Sequence, residues 1–191
     1  MSAVHDAILD RMTAELAART EWDEPPALYL IILADGGPRL SIFPLRDSVW
    51  ELDRPAAVLA GLARSWERNA GVIQQEAPPG LHGAAFRSES WRVQLPLDAP
   101  AEQAEEVKRE SRAHRLAQHP LRIEERGMFA VDRAGATYVV SWARGEAEPL
   151  RKVERRRPAD GMGMAGTIPE ALDRIVTAML GVPLPARPGD A

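Results

Sequence analysis

Val4, Ile8, Met12 and Leu16 recur every four positions, which lines them along one face of a helix. Ser2 suits the cap of that helix, and Asp6 its positive end. Two prolines in EWDEPP then halt the helix and extend the chain. ALYLIILA follows, apolar on both faces, the pattern of a central strand. DGGP is a turn cluster and RLSIFPL a partner strand, which ends or lies at an edge where Pro44 has no N–H for a ladder.

DRPAAVLAGLARSWERN reads as a second helix, with Asp53 as cap, Pro55 in the first turn, and Val58, Leu59, Leu62 and Trp66 on the inner face. QQEAPPG breaks the chain before LHGAAFRSESWRV, Leu81 to Val93, a strand whose alternation puts Arg87 and Glu89 in line with Trp91 and Val93. Residues 96–120 are highly charged, and composition leaves helix and mobile loop both open there. LRIEERGMFAVDRAG and ATYVVSWARG read as a hairpin, followed by a polar, glycine-rich stretch with room for one short edge strand. TIPEALDRIVTAMLG is a helix with a capping-box pattern at Thr167 and Glu170, and Gly181 in the position of a C-terminal glycine. Leu172, Ile175, Val176, Met179 and Leu180 supply its buried face.

The order α-β-β-α-β-β-β-α predicts an α+β fold. Its sheet is single, antiparallel or mixed, with about five to six strands, packed by N-terminal, central and C-terminal helices. Residues 1–181 read as one domain and the proline-rich residues 182–191 as a disordered tail.

Charge and composition narrow the chemistry. A net charge of −4 argues against capture of nucleic acid by the whole protein, leaving only a local patch at Arg151–Arg157. The absence of cysteine excludes disulfides, thiolate nucleophiles and cysteine-ligated metals. No apolar run reaches membrane-span length and no signal-peptide pattern opens the chain, so a cytoplasmic location without a membrane partner is the default expectation.

GMGMAG, Gly161 to Gly166, satisfies G-x-G-x-x-G. However, RKVERRRPAD before it is no buried strand, and too little chain follows for a dinucleotide fold. A looser anion site remains, with backbone N–H groups at the helix start joined by Arg155, Arg156 and Arg157. His114 and His119 are five apart and diverge on a helix, so no metal site is expected, and no cofactor is implied. No nucleophile elbow is present, and Glu124 and Glu125 alternate to opposite strand faces, so no catalytic set is complete.

Two segments carry a resemblance. Glu89 and Trp91 close the first, and His119, Pro120, Arg122, Glu124, Asp132 and Gly135 mark the second. Glu-x-Trp, a charged variable stretch, His-Pro-x-Arg-x-Glu, a strand and Asp-x-x-Gly together resemble a pattern in uncharacterised bacterial and phage proteins. Ser90 departs from the alanine more usual there. The resemblance covers about a third of the chain and implies no activity.

In HPLRIEE, Arg122 and Glu124 share a face, as Arg87 and Glu89 do. If the two strands are antiparallel neighbours, opposite charges pair across them, giving a structural ion network or the floor of a polar pocket. Arg87, Glu89, Trp91, His119, Arg122 and Glu124 are therefore the candidate binding residues. The first functional expectation is a non-catalytic interaction or regulatory module with a protein partner or a second copy of itself in a homo-oligomer. The second is a small-molecule or anion-binding protein, with an enzyme in scope, using the Arg/Glu cluster. The third is nucleic-acid binding through Arg151–Arg157.

Overall fold

A computed structural model describes residues 3–96, 98–113, 115–155 and 167–182. Six strands form a single antiparallel sheet in the order β2-β1-β3-β4-β5-β6. They are β1 (Ala27–Ala34), β2 (Gly37–Ile42), β3 (Leu81–Val93), β4 (Arg122–Asp132), β5 (Ala136–Ala143) and β6 (Leu150–Arg155). Five helices accompany them: α1 (Ala3–Ala17), α2 (Pro55–Arg68), α3 (Ala70–Gln75), α4 (Ala101–Arg112) and α5 (Thr167–Leu180). The architecture is α+β, and its order departs from the expected one by two further helices, α3 and α4, and by a sixth strand, β6, in the stretch where a short edge strand had room.

The sheet is covered on both faces. Alternation sends Tyr29, Ile31, Ala85, Met128, Ala130, Tyr138 and Val140 to one side, where they meet Ile8, Leu9, Met12 and Leu16 of α1. Side chains of this size contribute about 1.5–3 kcal/mol each when fully buried. Leu28, Leu30, Ala84, Phe86 and Val131 face the other way, against α2 and α5. Two aromatic contacts stiffen that layer, Phe43 on Trp66 with ring centres 4.8 Å apart and Trp50 on Phe86 at 5.4 Å. β1 carries core on both faces because it lies inside the sheet. β2, with Pro38, is an edge.

Local details differ from the pattern. Asp53 does not cap α2; its carboxylate accepts the N–H of Arg54, which itself occupies the cap position without a side-chain hydrogen bond. Val4 continues the α1 stripe in sequence but is exposed. Gly181 has φ +71° and its N–H closes on the Thr177 carbonyl, as expected for a glycine ending a helix. The Ser2 cap, Arg156, Arg157, GMGMAG and residues 183–191 lie outside the described residues, as does the side chain of Arg155.

β3 contains a bulge. Ile31 pairs with Gly83 and Ile32 with Leu81, so His82 is the extra residue. The bulge brings the His82 Nε2 to 3.7 Å from Asp132. Gly83 is required beside it, because a Cβ there would sit 2.3 Å from the Val131 carbonyl oxygen. No helix among the described residues is long and apolar enough to cross a membrane.

Candidate functional site

The end of β3 divides its residues between two faces, and each face builds something different. On the α1 face, the register sets Arg87 opposite Met128, Glu89 opposite Arg126, Trp91 opposite Glu124 and Val93 opposite Arg122. Charges do pair across these strands, but the partner of Glu89 is Arg126, not Arg122. Arg126 donates from Nε and Nη2 to Glu89 Oε1 at 3.1 and 2.9 Å. It also donates to the carbonyls of Arg19, at 2.7 Å, and of Glu21. Trp22 lies over the same guanidinium at 4.7 Å, with Arg144 also stacked on that ring at 5.3 Å.

The second oxygen of Glu89 accepts the Asp23 N–H at 2.6 Å. Arg87 donates to the Pro25 carbonyl at 3.0 Å and stands 2.9 Å from Glu24. Three buried or nearly buried charges thus clamp the chain between α1 and β1 by its backbone. Loop carbonyls that would otherwise lack partners away from water are satisfied this way. Asp23, at φ +65°, is held in a left-handed turn by the same contact with Glu89.

Of the remaining predicted residues, Glu124 borders the clamp, while Trp91, His119 and Arg122 lie outside it. Glu124 accepts from Arg144 at 2.7 Å, and Arg122 lies over the exposed Trp91 at 5.3 Å. His119 accepts the Leu121 N–H through Nδ1 at 3.1 Å, a local turn contact. Trp142 stands opposite Arg126 and Trp91 opposite Glu124, and among the described residues no ring contact joins the two tryptophans. Sequence reasoning missed Arg126, Arg144 and the loop. Arg126 does continue the alternation of Arg122 and Glu124, which was the available signal.

Asp23, Glu89 and Glu124 bring one carboxylate oxygen each within 4.8 Å of one another. Oxygen donors suit a hard cation. Here Glu89 and Glu124 are each already bonded to a guanidinium, so the arginines supply the countercharge.

Behind the clamp, Glu15 accepts from Arg19 and from Tyr29. Burial works to raise the Glu15 carboxyl, but those two bonds and the nearby Arg19 and Arg87 charges outweigh it and hold it below its usual range. Burial pushes the Tyr29 phenol up, reinforced by Glu15. Farther along the same face, Tyr138 donates to Asp132 at 2.6 Å and meets His5 Nδ1 at 2.6 Å. The phenol has one proton, committed to Asp132, so His5 Nδ1 is the donor. Burial again opposes ionisation of Asp132, but the nearby His82 imidazole and the hydrogen bonds from Tyr138 and the Ala136 N–H prevail and lower it. Burial and Asp132 together raise Tyr138 far above the usual phenol range. Asp132 and Tyr138 are fully enclosed, which suits a structural strut between α1 and the sheet.

The opposite face of the same strand end opens into a cleft of about 570 Å3. Ser88 and Ser90 form its floor, since alternation turns the Glu89 carboxylate away to Arg126. Arg54, Pro55, Ala56 and Ala57 at the start of α2 form one wall, and Thr167 and Ile168 at the start of α5 another. The third wall is Ser111, Leu116 and Ala117, from the end of α4 and the 3₁₀ turn Leu116–Gln118. A smaller hollow of about 230 Å3 beside Trp22 and Trp142 falls below the size of most ligand pockets.

Comparison with protein-family models, with curated proteins and with solved structures finds no match for this chain.

Proposed function

We propose that this chain is a non-catalytic binding module whose ligand is a small amphipathic anion held in the cleft between β3, α2 and α5. The cleft carries the reading. Its volume lies in the range that admits a small molecule, and Pro55, Ala56, Ala57, Leu116, Ala117 and Ile168 give it an apolar lining. Its polarity is one-sided. Arg54 is the charged side chain on this face among the described lining residues, joined by the hydroxyls of Ser88, Ser90, Ser111 and Thr167. Arg54 is only loosely engaged, 3.9 Å from an exposed Asp53, so it can turn toward a ligand. Two 14-residue helices begin at the cleft and add their positive ends. Glu89 and Trp91 also border the cleft, and the Glu89 carboxylate is engaged by Arg126.

The test uses the fluorescent anion 1-anilinonaphthalene-8-sulfonate with the 15N-labelled native protein. Binding should shift the amides of Ser88, Ser90, Ala56 and Ile168 and leave Met128 and Tyr138 unmoved. Arg54→Glu should weaken it at least tenfold. Shifts scattered over the whole sheet, or none, would reject the cleft as a site.

A second reading, association with a protein or a second copy, is favoured by the sheet edges. β2 and β6 are unpaired on their outer sides among the described residues, and each carries an exposed large apolar residue, Ile42 or Leu150. Light scattering after size exclusion tests it; a monomer at high concentration, unchanged by Ile42→Lys, would remove self-association.

A further inference from the structure

We infer that α4 and the 3₁₀ turn after it form a lid on this cleft, opening to admit the ligand and closing over it. The inference rests on the proposed binding role. β3 and β4 are antiparallel neighbours paired to their last residues, Val93 opposite Arg122. A turn of a few residues would join them. The chain instead devotes residues 94–121 to an excursion that the sheet does not need. Connections this long inside a compact domain are most often functional loops or lids.

The excursion is held lightly. α4 has no buried residue. The side-chain bonds from this stretch are local, Lys108 to Glu105 and Arg115 to Glu110. The inner side of α4, Gln103, Ala104, Val107 and Glu110, is only half-buried, and a 12-residue helix with so little packing is marginal in water, because nucleation costs more than so few turns return. The 3₁₀ turn touches β3 and β4 through a half-buried Leu116, the main apolar anchor the lid would lift. Prolines at 96, 100 and 120 mark the two ends of the excursion.

What makes this loose element more than a solvated loop is its position. Ser111, Leu116 and Ala117 are one of the three walls of the cleft, facing the fixed walls of α2 and α5. The other two walls rest on the best-buried helices on that face. Swinging the third wall away exposes Ser88 and Ser90, and swinging it back adds Leu116 and the Ser111 hydroxyl to the ligand's surroundings. The residues that come away easily are thus the ones that enclose the ligand on closing. Local stability of this kind is what a gating element draws on.

Hydrogen–deuterium exchange of the full chain, with and without 1-anilinonaphthalene-8-sulfonate, tests the inference together with stopped-flow dissociation of the dye. In the free protein, amides of residues 101–113 should exchange within about tenfold of unstructured chain, while those of β3 stay protected. Saturating dye should slow them at least fivefold. Leu116→Ser, which removes the apolar contact anchoring the turn to β3 and β4, should speed dye release at least fivefold. A free α4 as protected as β3 would overturn the lid. So would dye that shifts the cleft amides while leaving α4 exchange and the Leu116→Ser release rate unchanged, and the binding role would then stand without it. Dye that fails to reach the cleft amides removes the binding role and the lid with it.

Discussion

Arg126 draws together Glu89, the carbonyls of Arg19 and Glu21 and the ring of Trp22, groups separated by up to about a hundred positions in the chain. Truncating such a residue strands the Glu89 carboxylate in a largely buried position. Breaking one side of a buried pair costs about 3–5 kcal/mol. Arg126→Ala should therefore lower unfolding free energy by about that amount in urea denaturation, with Glu89→Gln losing less because an amide oxygen can still accept the Asp23 N–H. Equal and negligible losses would mean that the clamp contributes nothing to stability. Asp132 gives a pH signature. Its folded carboxyl is held below the ordinary 3.8, so its contribution is present above that value and is lost as pH falls through the folded value. Urea titrations should show stability dropping as pH falls below 3.8, and Asp132→Asn should flatten that drop. At this scale the sequence was half legible. Alternation placed Arg87, Glu89 and Glu124 on one face, where they are. It could not supply their partners, because those depend on register and on backbone carbonyls of a loop, which have no side-chain identity to read. His119 and Arg122 share the local pattern, but they lie where the strand pair runs out into solvent.

Strands and helices with a strong apolar rhythm were recovered because burial itself enforces the rhythm. β1, β3 and α5 follow their patterns closely, with Leu172, Ile175, Val176 and Met179 buried as their spacing required. α3 escaped, and α4 was left open between helix and loop, for the opposite reason. Neither has a buried residue, so no periodicity was imposed on its sequence. The His82 bulge was equally silent, since one extra residue leaves composition unchanged. Its neighbour provides a prediction at the scale of the strand. Gly83→Ala pushes a methyl to 2.3 Å from the Val131 carbonyl and must part β3 from β4. The expected cost is about 3 kcal/mol, the upper part of the range for overpacking, measured as a shift of the urea midpoint. A neutral substitution would mean that the bulge can absorb the methyl.

For the whole molecule, among the described residues, α1 is the helix packed on one side of the sheet, while α2, α3 and α5 share the other. The two sides have separate duties at the far end of β3. Toward α1 the strand is locked, with each of its charges spoken for; toward α2 and α5 it leaves space. A single-domain reading of residues 1–181 is compatible with one sheet, yet fold class said nothing of this division. It emerges from alternation at Ser88, Glu89 and Ser90, where three consecutive residues serve cleft, clamp and cleft. Replacing Ser88 and Ser90 by alanine should accordingly weaken dye binding severalfold while the urea midpoint stays within error, since neither hydroxyl supports the clamp. A large loss of stability instead would show that the two sides are not independent.

That alternation also sets what mutation can do to the length of this strand. A side chain can be exchanged on either face while the other keeps its order. A single inserted or deleted residue between Gly83 and Ser88 turns every later side chain over, driving Glu89 toward the cleft and the serines toward Arg126. The spacing is thus a reading frame in three dimensions, permissive of altered letters and intolerant of altered count.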